Sequence, residues 1–407
     1  MHFLFHTASL TASGGSRVIC NLASYLCEKG HQVTIIIDRN RVAFPIHPDV
    51  KILFLTTCKI IDITPKEKGD TRAYKKHIDK KSKKKKKLKL RHKYKLVESV
   101  NEWKKYLLKL ITFPSKSILI KKKIKEIKPD LVVSHNMYYF LEHYLFYNGT
   151  NFCITLHNSP NQVFIDRTVK SIFPISFFFN NRDCISVSKG VEKEMRALFP
   201  NSINQTIYNP LDVTEINKLS LEEIPNFFKD NKYIVTVSSL APGKRIDRSI
   251  IALSKLKNKE IKLVIIGDGE EKKHLEQLSM SLNLENRVIF TGFIENPLPY
   301  MKNAEMLSFT SDYEGFGLVI IEALACKTPV ISTNCPSGPS EILTDNLAEF
   351  LVDIKDVDET KITDDISLAM EKIISSPPKI TYEHVKRFDK KEITSQWENL
   401  AIKINSK

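Results

Sequence analysis

The segment Glu314-Gly-Phe-Gly-Leu-Val-Ile-Ile-Glu322 sets two carboxylates eight positions apart around a Gly-Phe-Gly turn. The apolar run from Glu305 to Thr310 reads as a strand, and Leu318 to Cys326 reads as a helix; the loop Ser311-Asp-Tyr313 lies between them. The glycines therefore sit at a strand-to-helix junction, where a helix N-terminus offers unpaired N–H groups and partial positive charge. That is a seat for a phosphate, and glycine lets the phosphate approach the backbone closely. Glu314 stands at the mouth of this seat. Glu322 falls about one and a half turns into the helix, within reach of hydroxyls on the same ligand. A diphosphate carrying a sugar on each side would satisfy both ends.

Further segments have chemistry to offer. Gly14-Gly15-Ser16-Arg17 follows the first strand and makes an anion-friendly turn into a helix. Thr155-Leu-His157-Asn158-Ser-Pro160 puts a histidine just beyond a strand, where open α/β domains bind ligands. Val237-Ser-Ser239-Leu-Ala-Pro-Gly-Lys244-Arg245-Ile-Asp247 brings two cations to a strand end. Ile265-Ile-Gly267-Asp-Gly269-Glu270, Thr291-Gly-Phe-Ile294 and Cys335-Pro-Ser-Gly-Pro-Ser-Glu341 are turns at the ends of other strands.

In order and spacing these motifs resemble the retaining GT-B glycosyltransferases of family 4, in the bacterial surface-glycan branch. The resemblance covers most of the chain and is strongest from Tyr233 to Leu343. It implies roles. Glu314, His157 and Lys244 would be the catalytic groups. Donor contacts would come from Gly15, Ser239, Lys244, Arg245, Gly267, Gly269, Ile294, Glu314, Gly315, Phe316, Gly317, Leu318, Val319 and Glu322. The Glu-x7-Glu pair would hold sugar hydroxyls through Glu314 and ribose hydroxyls through Glu322. Lys244 and the amides around Phe316 to Val319 would stabilise the leaving diphosphate. Two positions depart from the family pattern. Ser239 stands where an arginine usually grips the diphosphate, and serine supplies neither its charge nor its fork; Arg245 is the residue that could replace it. Asn158 follows His157 in place of a common aspartate, which leaves the partner and tautomer of His157 open.

The elements that must position these groups alternate between strand and helix, twice over. Strands are expected at Phe3–Phe5, Gln32–Ile37, Lys51–Leu55, Leu131–Ser134, Phe152–Leu156 and Cys184–Val187 in the first half. A second set is expected at Tyr233–Ser238, Leu263–Ile266, Val288–Phe290, Met306–Phe309 and Val330–Ser332. Helices are expected at Ser16–Lys29 and near Ile118–Ile127, with a further one through Phe177–Phe179 and with Ser188 as a helix cap. Alternation implies parallel sheets. The fold class is α/β: GT-B, two facing Rossmann-like domains at 1–212 and 213–390, joined through the polar stretch Val213 to Asp230. The resemblance alone implies that a last helix, 391–407, crosses back to the first domain.

At 407 residues the chain suits two domains. It has no run of about 18 apolar residues, so no membrane-spanning helix is expected. Its start lacks the basic and long apolar regions of a signal peptide, and its seven cysteines are scattered and unpaired, which points to reduced thiols in the cytoplasm. Charge is concentrated. Lys75–Lys95, inside a basic insertion at 66–116, holds thirteen Lys or Arg against the single acid Asp79, twelve of the chain's net fifteen positive charges. Such a block is a solvated surface element. With Tyr94, Trp103 and Tyr106 beside it, it is expected to meet the anionic inner leaflet of the cell membrane. No helix-turn-helix, RNP or zinc-finger pattern accompanies it, so nucleic acid is not the expected partner.

The function expected is retaining transfer of a hexose or N-acetylhexosamine from a nucleotide diphosphate sugar, a UDP-sugar first, to a lipid-linked glycan acceptor. The setting would be lipopolysaccharide, lipooligosaccharide or capsule assembly on the cytoplasmic face of the membrane. No cofactor is expected. No Asp-x-Asp with a metal-site context appears, so no metal requirement is expected. The alternatives are a non-hydrolysing UDP-sugar epimerase of the same fold and a basic nucleic-acid-binding protein.

Overall fold

The computed structural model describes residues 1–11, 13–64, 114–135, 147, 149–162, 176 and 178–406. The basic run Lys75–Lys95 and Phe177 of the expected Phe177–Phe179 helix lie outside the described residues, while Phe178 and Phe179 are helical.

Among the described residues the first domain is built on eight strands: β1 (His2–Thr7), β2 (Gln32–Ile37), β3 (Lys51–Leu55), β4 (Ile60–Asp62), β5 (Leu131–His135), β6 (Phe152–Leu156), β7 (Asp183–Ser186) and β8 (Ile203–Thr206). Their spatial order is β4-β3-β2-β1-β5-β6-β7-β8. The central strands are apolar on both faces and buried on both, as the parallel sheet of a two-sided α/β layer requires. Helix α1 (Gly14–Glu28) follows β1 directly and starts at Ser13, whose side chain accepts from the Ser16 amide. It lays Val18, Ile19, Leu22, Ala23 and Leu26 on the sheet at helical spacing.

The second domain has β9 (Tyr233–Val237), β10 (Lys262–Ile266), β11 (Val288–Gly292), β12 (Met306–Phe309), β13 (Val330–Thr333) and β14 (Leu351–Val352), in the order β11-β10-β9-β12-β13-β14. Apolar clusters cover each face of both sheets. In both sheets the order reverses beside the first strand of the domain, between β1 and β5 and between β9 and β12. Ligands of open α/β sheets bind at the C-terminal strand ends where the order reverses. The Gly14-Gly15 turn follows β1, the Ser239–Arg245 loop follows β9, and the Glu314 loop follows β12.

Three strands and two short helices were not anticipated. β4 runs antiparallel to β3 in an otherwise parallel sheet. β8 (Ile-Asn-Gln-Thr) and the two-residue β14 are short edge or near-edge strands with no apolar run to mark them. The polar join holds two short helices, Val213–Leu219 and Asn226–Asp230, the first capped by Asp212 through the Glu215 amide.

The crossover helix, Lys390–Asn405, belongs structurally to the first domain. Ile393, Trp397, Leu400, Ala401 and Ile404 enter the core that contains Phe3, Phe5 and α1. Glu398 meets Lys29 and His31 at 2.6 Å each, and Lys390 meets Glu28 and Asp212 at 2.6 and 2.7 Å. A second tie between the domains is Glu341. Its carboxylate accepts from the Lys189 and Gly190 amides at 2.7 and 2.8 Å and from the Tyr208 hydroxyl at 3.2 Å. It thereby caps, from the opposite domain, the N-terminus of the helix Lys189–Leu198, whose own cap is Ser188.

Candidate active site between the two domains

The second domain contributes a loop seat. Gly317 has φ +99°, a left-handed value that L side chains rarely adopt, and turns the chain into the helix Leu318–Ala325 with no side chain capping that helix. Below it, Gly338 also has φ +99°, and a Cβ there would stand 1.8 Å from the Phe316 carbonyl oxygen. The Phe316 side chain points away from the seat and packs against Tyr208 and Phe388, so the residue can serve a ligand only through its backbone. The β9 loop closes on the β12 loop: the Asp312 amide donates to the Gly243 carbonyl at 3.0 Å. That places Lys244 Nζ 2.6 Å from Glu314 Oε1, a cation and a carboxylate side by side at the mouth of an uncapped helix.

The first domain supplies the opposite wall. Gly315 lies so close to the backbone of His157 that a Cβ there would be 2.1 Å from the His157 carbonyl oxygen. Ser188 Oγ donates to the Gly315 carbonyl at 2.8 Å. A Cβ on Gly15 would meet the His157 side chain at 3.7 Å, and one on Gly14 would meet Leu318 at 3.7 Å. Arg17 reaches across to Glu322, Nη1 to Oε1 2.9 Å. The two carboxylates of the Glu-x7-Glu segment thus each hold a cation, Glu314 from its own domain and Glu322 from the other.

His157 is not alone. His135, the last residue of β5, places Nδ1 3.0 Å from His157 Nε2, with the rings stacked at 5.3 Å between centroids. Burial lowers the His157 pKa to about 4; burial and then the neighbouring His157 lower that of His135 well below the ordinary value. Both rings are therefore neutral near pH 7. Nothing in the motif around His157 pointed to His135, which closes an ordinary Leu-Val-Val-Ser-His strand. The signal available was that β5 and β6 both end on a histidine side of the same crevice.

Glu314, Gly315, Phe316, Gly317, Leu318, Val319, Glu322, Lys244, Gly15 and His157 converge on this cleft. Gly267, Gly269 and Ile294 sit on its β10–β11 side. The Gly267 amide donates to the Gly292 carbonyl at 2.8 Å, and Cβ atoms on Gly267 and Gly269 would strike the Ser238 and Leu240 carbonyls at 1.8 and 2.2 Å. Ser239 is exposed on the β9 loop. Arg245 does not stand where a replacement for an arginine at 239 is needed with a free guanidinium. It adopts φ +46° and forks onto Asp247 and Glu359, with Nη1–Oε1 and Nη2–Oε2 distances of 2.8 Å to Glu359. The buried Arg248 joins the same carboxylate and reaches Asp312 at 2.7 Å. Hydrogen bonds from Arg248 and then Arg245 hold Glu359 down to about 2. Arg245 is thus a brace of the β9–β12 loops.

Comparison with known proteins fits both halves. Residues 12–215 match Glycosyltransferase Family 4 and residues 217–391 match Glycosyl transferases group 1, with the division inside the polar join. A relative from Campylobacter jejuni is N-acetylgalactosamine-N,N'-diacetylbacillosaminyl-diphospho-undecaprenol 4-alpha-N-acetylgalactosaminyltransferase, 32% identical over 61% of this chain and 69% of that protein. The lipopolysaccharide 1,6-galactosyltransferase of Escherichia coli is 27% identical over 39% of this chain and 45% of that protein. The crystal structure of Anabaena HepE in complex with UDP-glucose superposes along the whole of both chains with TM-score 0.67 at 16% identity, a likeness of fold. With its two facing parallel sheets, its cleft and both family matches, this chain belongs to glycosyltransferase family 4 and is a GT-B glycosyltransferase.

Proposed function

We propose that the protein transfers a hexose or N-acetylhexosamine from a UDP-sugar, with retention of anomeric configuration, to a lipid-linked glycan acceptor of bacterial surface-glycan assembly. The observation that carries this reading is the Lys244–Glu314 pair at the uncapped N-terminus of Leu318–Ala325, facing the Gly14-Gly15 turn and His157. In the reaction the bond between the anomeric carbon and the diphosphate oxygen breaks, and a bond to the acceptor hydroxyl oxygen forms on the same face. The acceptor proton leaves with the diphosphate. Negative charge grows on the diphosphate as the bond breaks. Lys244 Nζ and the amides of Gly317 to Val319 are aimed at that charge before it develops, so little reorganisation is needed. Glu314 holds sugar hydroxyls and offsets positive character at the anomeric carbon. Glu322 exchanges Arg17 for the ribose hydroxyls. No metal is required in this scheme, because protein cations and amides carry the leaving charge.

The choice of UDP draws on the fold neighbour seen with UDP-glucose. The choice of a lipid-linked acceptor draws on the Campylobacter relative, whose name specifies a diphospho-undecaprenol acceptor. Among the described residues no helix is long and apolar enough to cross a membrane. We place the enzyme peripherally on the inner face of the cell membrane, held by Lys75–Lys95. A panel of UDP-, GDP- and ADP-sugars with a short polyprenyl-diphosphate-linked acceptor tests the reading, with the product linkage read by NMR. A β-linked product from an α-linked donor would refute retention. Conversion of the free UDP-sugar without acceptor would favour an epimerase. Membrane attachment is tested by co-sedimentation with anionic and neutral vesicles. Equal binding of the intact chain and a Lys75–Lys95 deletion would remove that role.

A further inference from the structure

We infer that His135 is a positioning residue: it donates from Nδ1 to His157 Nε2 and so holds His157 as the neutral Nδ1–H tautomer, a hydrogen-bond donor presented to the cleft. The consequence for sugar binding rests on the reading above, in which His157 meets the donor sugar.

Only one proton can lie between His135 Nδ1 and His157 Nε2 at 3.0 Å, so each ring dictates the other's tautomer. The decision is made on the far side of His135. That residue is 1% exposed and packs edge-on against Phe5 at 4.9 Å. Its Nε2 is buried and, among the described residues, has no hydrogen-bond partner. A proton there would be an orphaned buried N–H, the rarest kind of unsatisfied group in folded proteins and one that costs about 1–3 kcal/mol. The neighbouring strand offers Nε2 no acceptor. Thr155 is the register partner of His135 on β6, so the two side chains share a face of the sheet. Its Oγ1 is also buried without a partner. Oγ1 is therefore not within hydrogen-bonding geometry of His135 Nε2, and it does not relieve a proton placed there. The bare Nε2 requires the proton on His135 Nδ1, and that proton occupies the His157 Nε2 lone pair.

The remaining nitrogen of His157 then carries its only proton. Among the described residues Nδ1 has no partner, and it is not one of the buried polar atoms left without one, so it opens onto solvent in the cleft. It can donate to a sugar oxygen and cannot accept a proton as a base while the ring is neutral. The aspartate that commonly follows this histidine in the family is Asn158 here, and the exposed Asn158 makes no hydrogen bond to His157. His135 thus supplies the tautomer control from the adjacent strand.

The test is made on the full-length protein labelled with 15N-histidine, using long-range proton–nitrogen correlations assigned with His157→Gln. The expected pattern for His157 is a protonated Nδ1 and an unprotonated Nε2. His135→Asn, whose amide N–H replaces Nδ1–H, is expected to keep that pattern and to keep kcat within about threefold. His135→Leu is expected to release His157 to a mixture of tautomers and to lower kcat about tenfold, the loss of one aligned hydrogen bond, with the donor KM little changed. A dominant Nε2–H form of His157 in the unaltered protein would overturn the inference, and that result needs no variant to fold. So would His135→Asn losing as much kcat as His135→Leu. If the Nδ1–H pattern is found but His157→Ala leaves transfer unchanged, the sugar contact in the proposed function fails and the tautomer assignment stands.

Discussion

Glu322→Gln separates a ribose-binding carboxylate from an ordinary helix side chain. Glu322 is buried and bonded to Arg17 at 2.9 Å, with the arginine about one-third exposed. Nucleotide binding in the proposed scheme exchanges that contact for one or two ribose hydroxyls. A hydrogen bond to a charged group contributes about 1.5–3 kcal/mol. The Arg17 pair that must be given up is partly screened by solvent, so it is worth about 0–1 kcal/mol. The substitution removes both, and the expected net loss is about 2 kcal/mol, roughly a 30-fold weaker Kd. The arithmetic also sets the sign of a companion change. If Arg17 only competes for Glu322, Arg17→Ala should leave UDP affinity unchanged or tighten it by up to about fivefold. The assay is isothermal titration with UDP alone, which excludes sugar and acceptor effects. An unchanged Kd for Glu322→Gln would refute the ribose assignment. A much weaker Kd for Arg17→Ala would show that Arg17 binds the nucleotide itself and that the exchange argument is mistaken.

Lys244→Ala should lower kcat by more than it raises the donor KM, because diphosphate charge is greatest in the transition state; an effect confined to KM would mean uniform binding. Glu341→Ala removes two short charge-assisted bonds to the Lys189 and Gly190 amides and should cost about 2–4 kcal/mol in denaturant unfolding. A loss under about 0.5 kcal/mol would mean that water caps that helix equally well. Stability should also fall as pH drops from about 6.5 toward 4, since His157 must stay neutral when folded but takes up a proton when unfolded. The folded pKa is the lower one, so the stabilisation is complete above the unfolded pKa and is lost on acidification. His157→Gln should flatten that slope by on the order of 2 kcal/mol across the window. An unaltered slope would mean that the ring is solvated.

The sheets were legible because their central strands are buried on both faces. A strand such as Gln-Val-Thr-Ile-Ile-Ile has to be apolar nearly throughout, so β2, β3, β6 and β12 stand out as written. The edge strands β4, β8 and β14 carry no such pressure. One face or one edge of each meets solvent, so polar residues such as Gln205 and Thr206, both only half-buried, are tolerated there. The glycine turn before Leu318–Ala325 was legible in part for a local reason. Gly317 answers a local demand, a left-handed φ, whereas the close approach that Gly315 makes to His157 comes from the other domain.

By itself, then, the amino-acid sequence determined the alternation of elements, the two-domain division, the family, and the loops that line the cleft. Each depends on burial patterns or backbone chemistry within a few residues. Pairing was decided only by the tertiary structure. Arg17 meets Glu322 and Glu341 meets Lys189 across distances in sequence that no spacing rule covers. Arg245, a free cation on paper, is committed to Glu359, which lies more than a hundred positions away. His135 became the partner of His157 because parallel pairing in register sets the ends of β5 and β6 side by side. The charge a side chain carries is encoded locally, but which opposite charge or proton it meets is set by strand order and domain contact, and these exist only once the chain has folded.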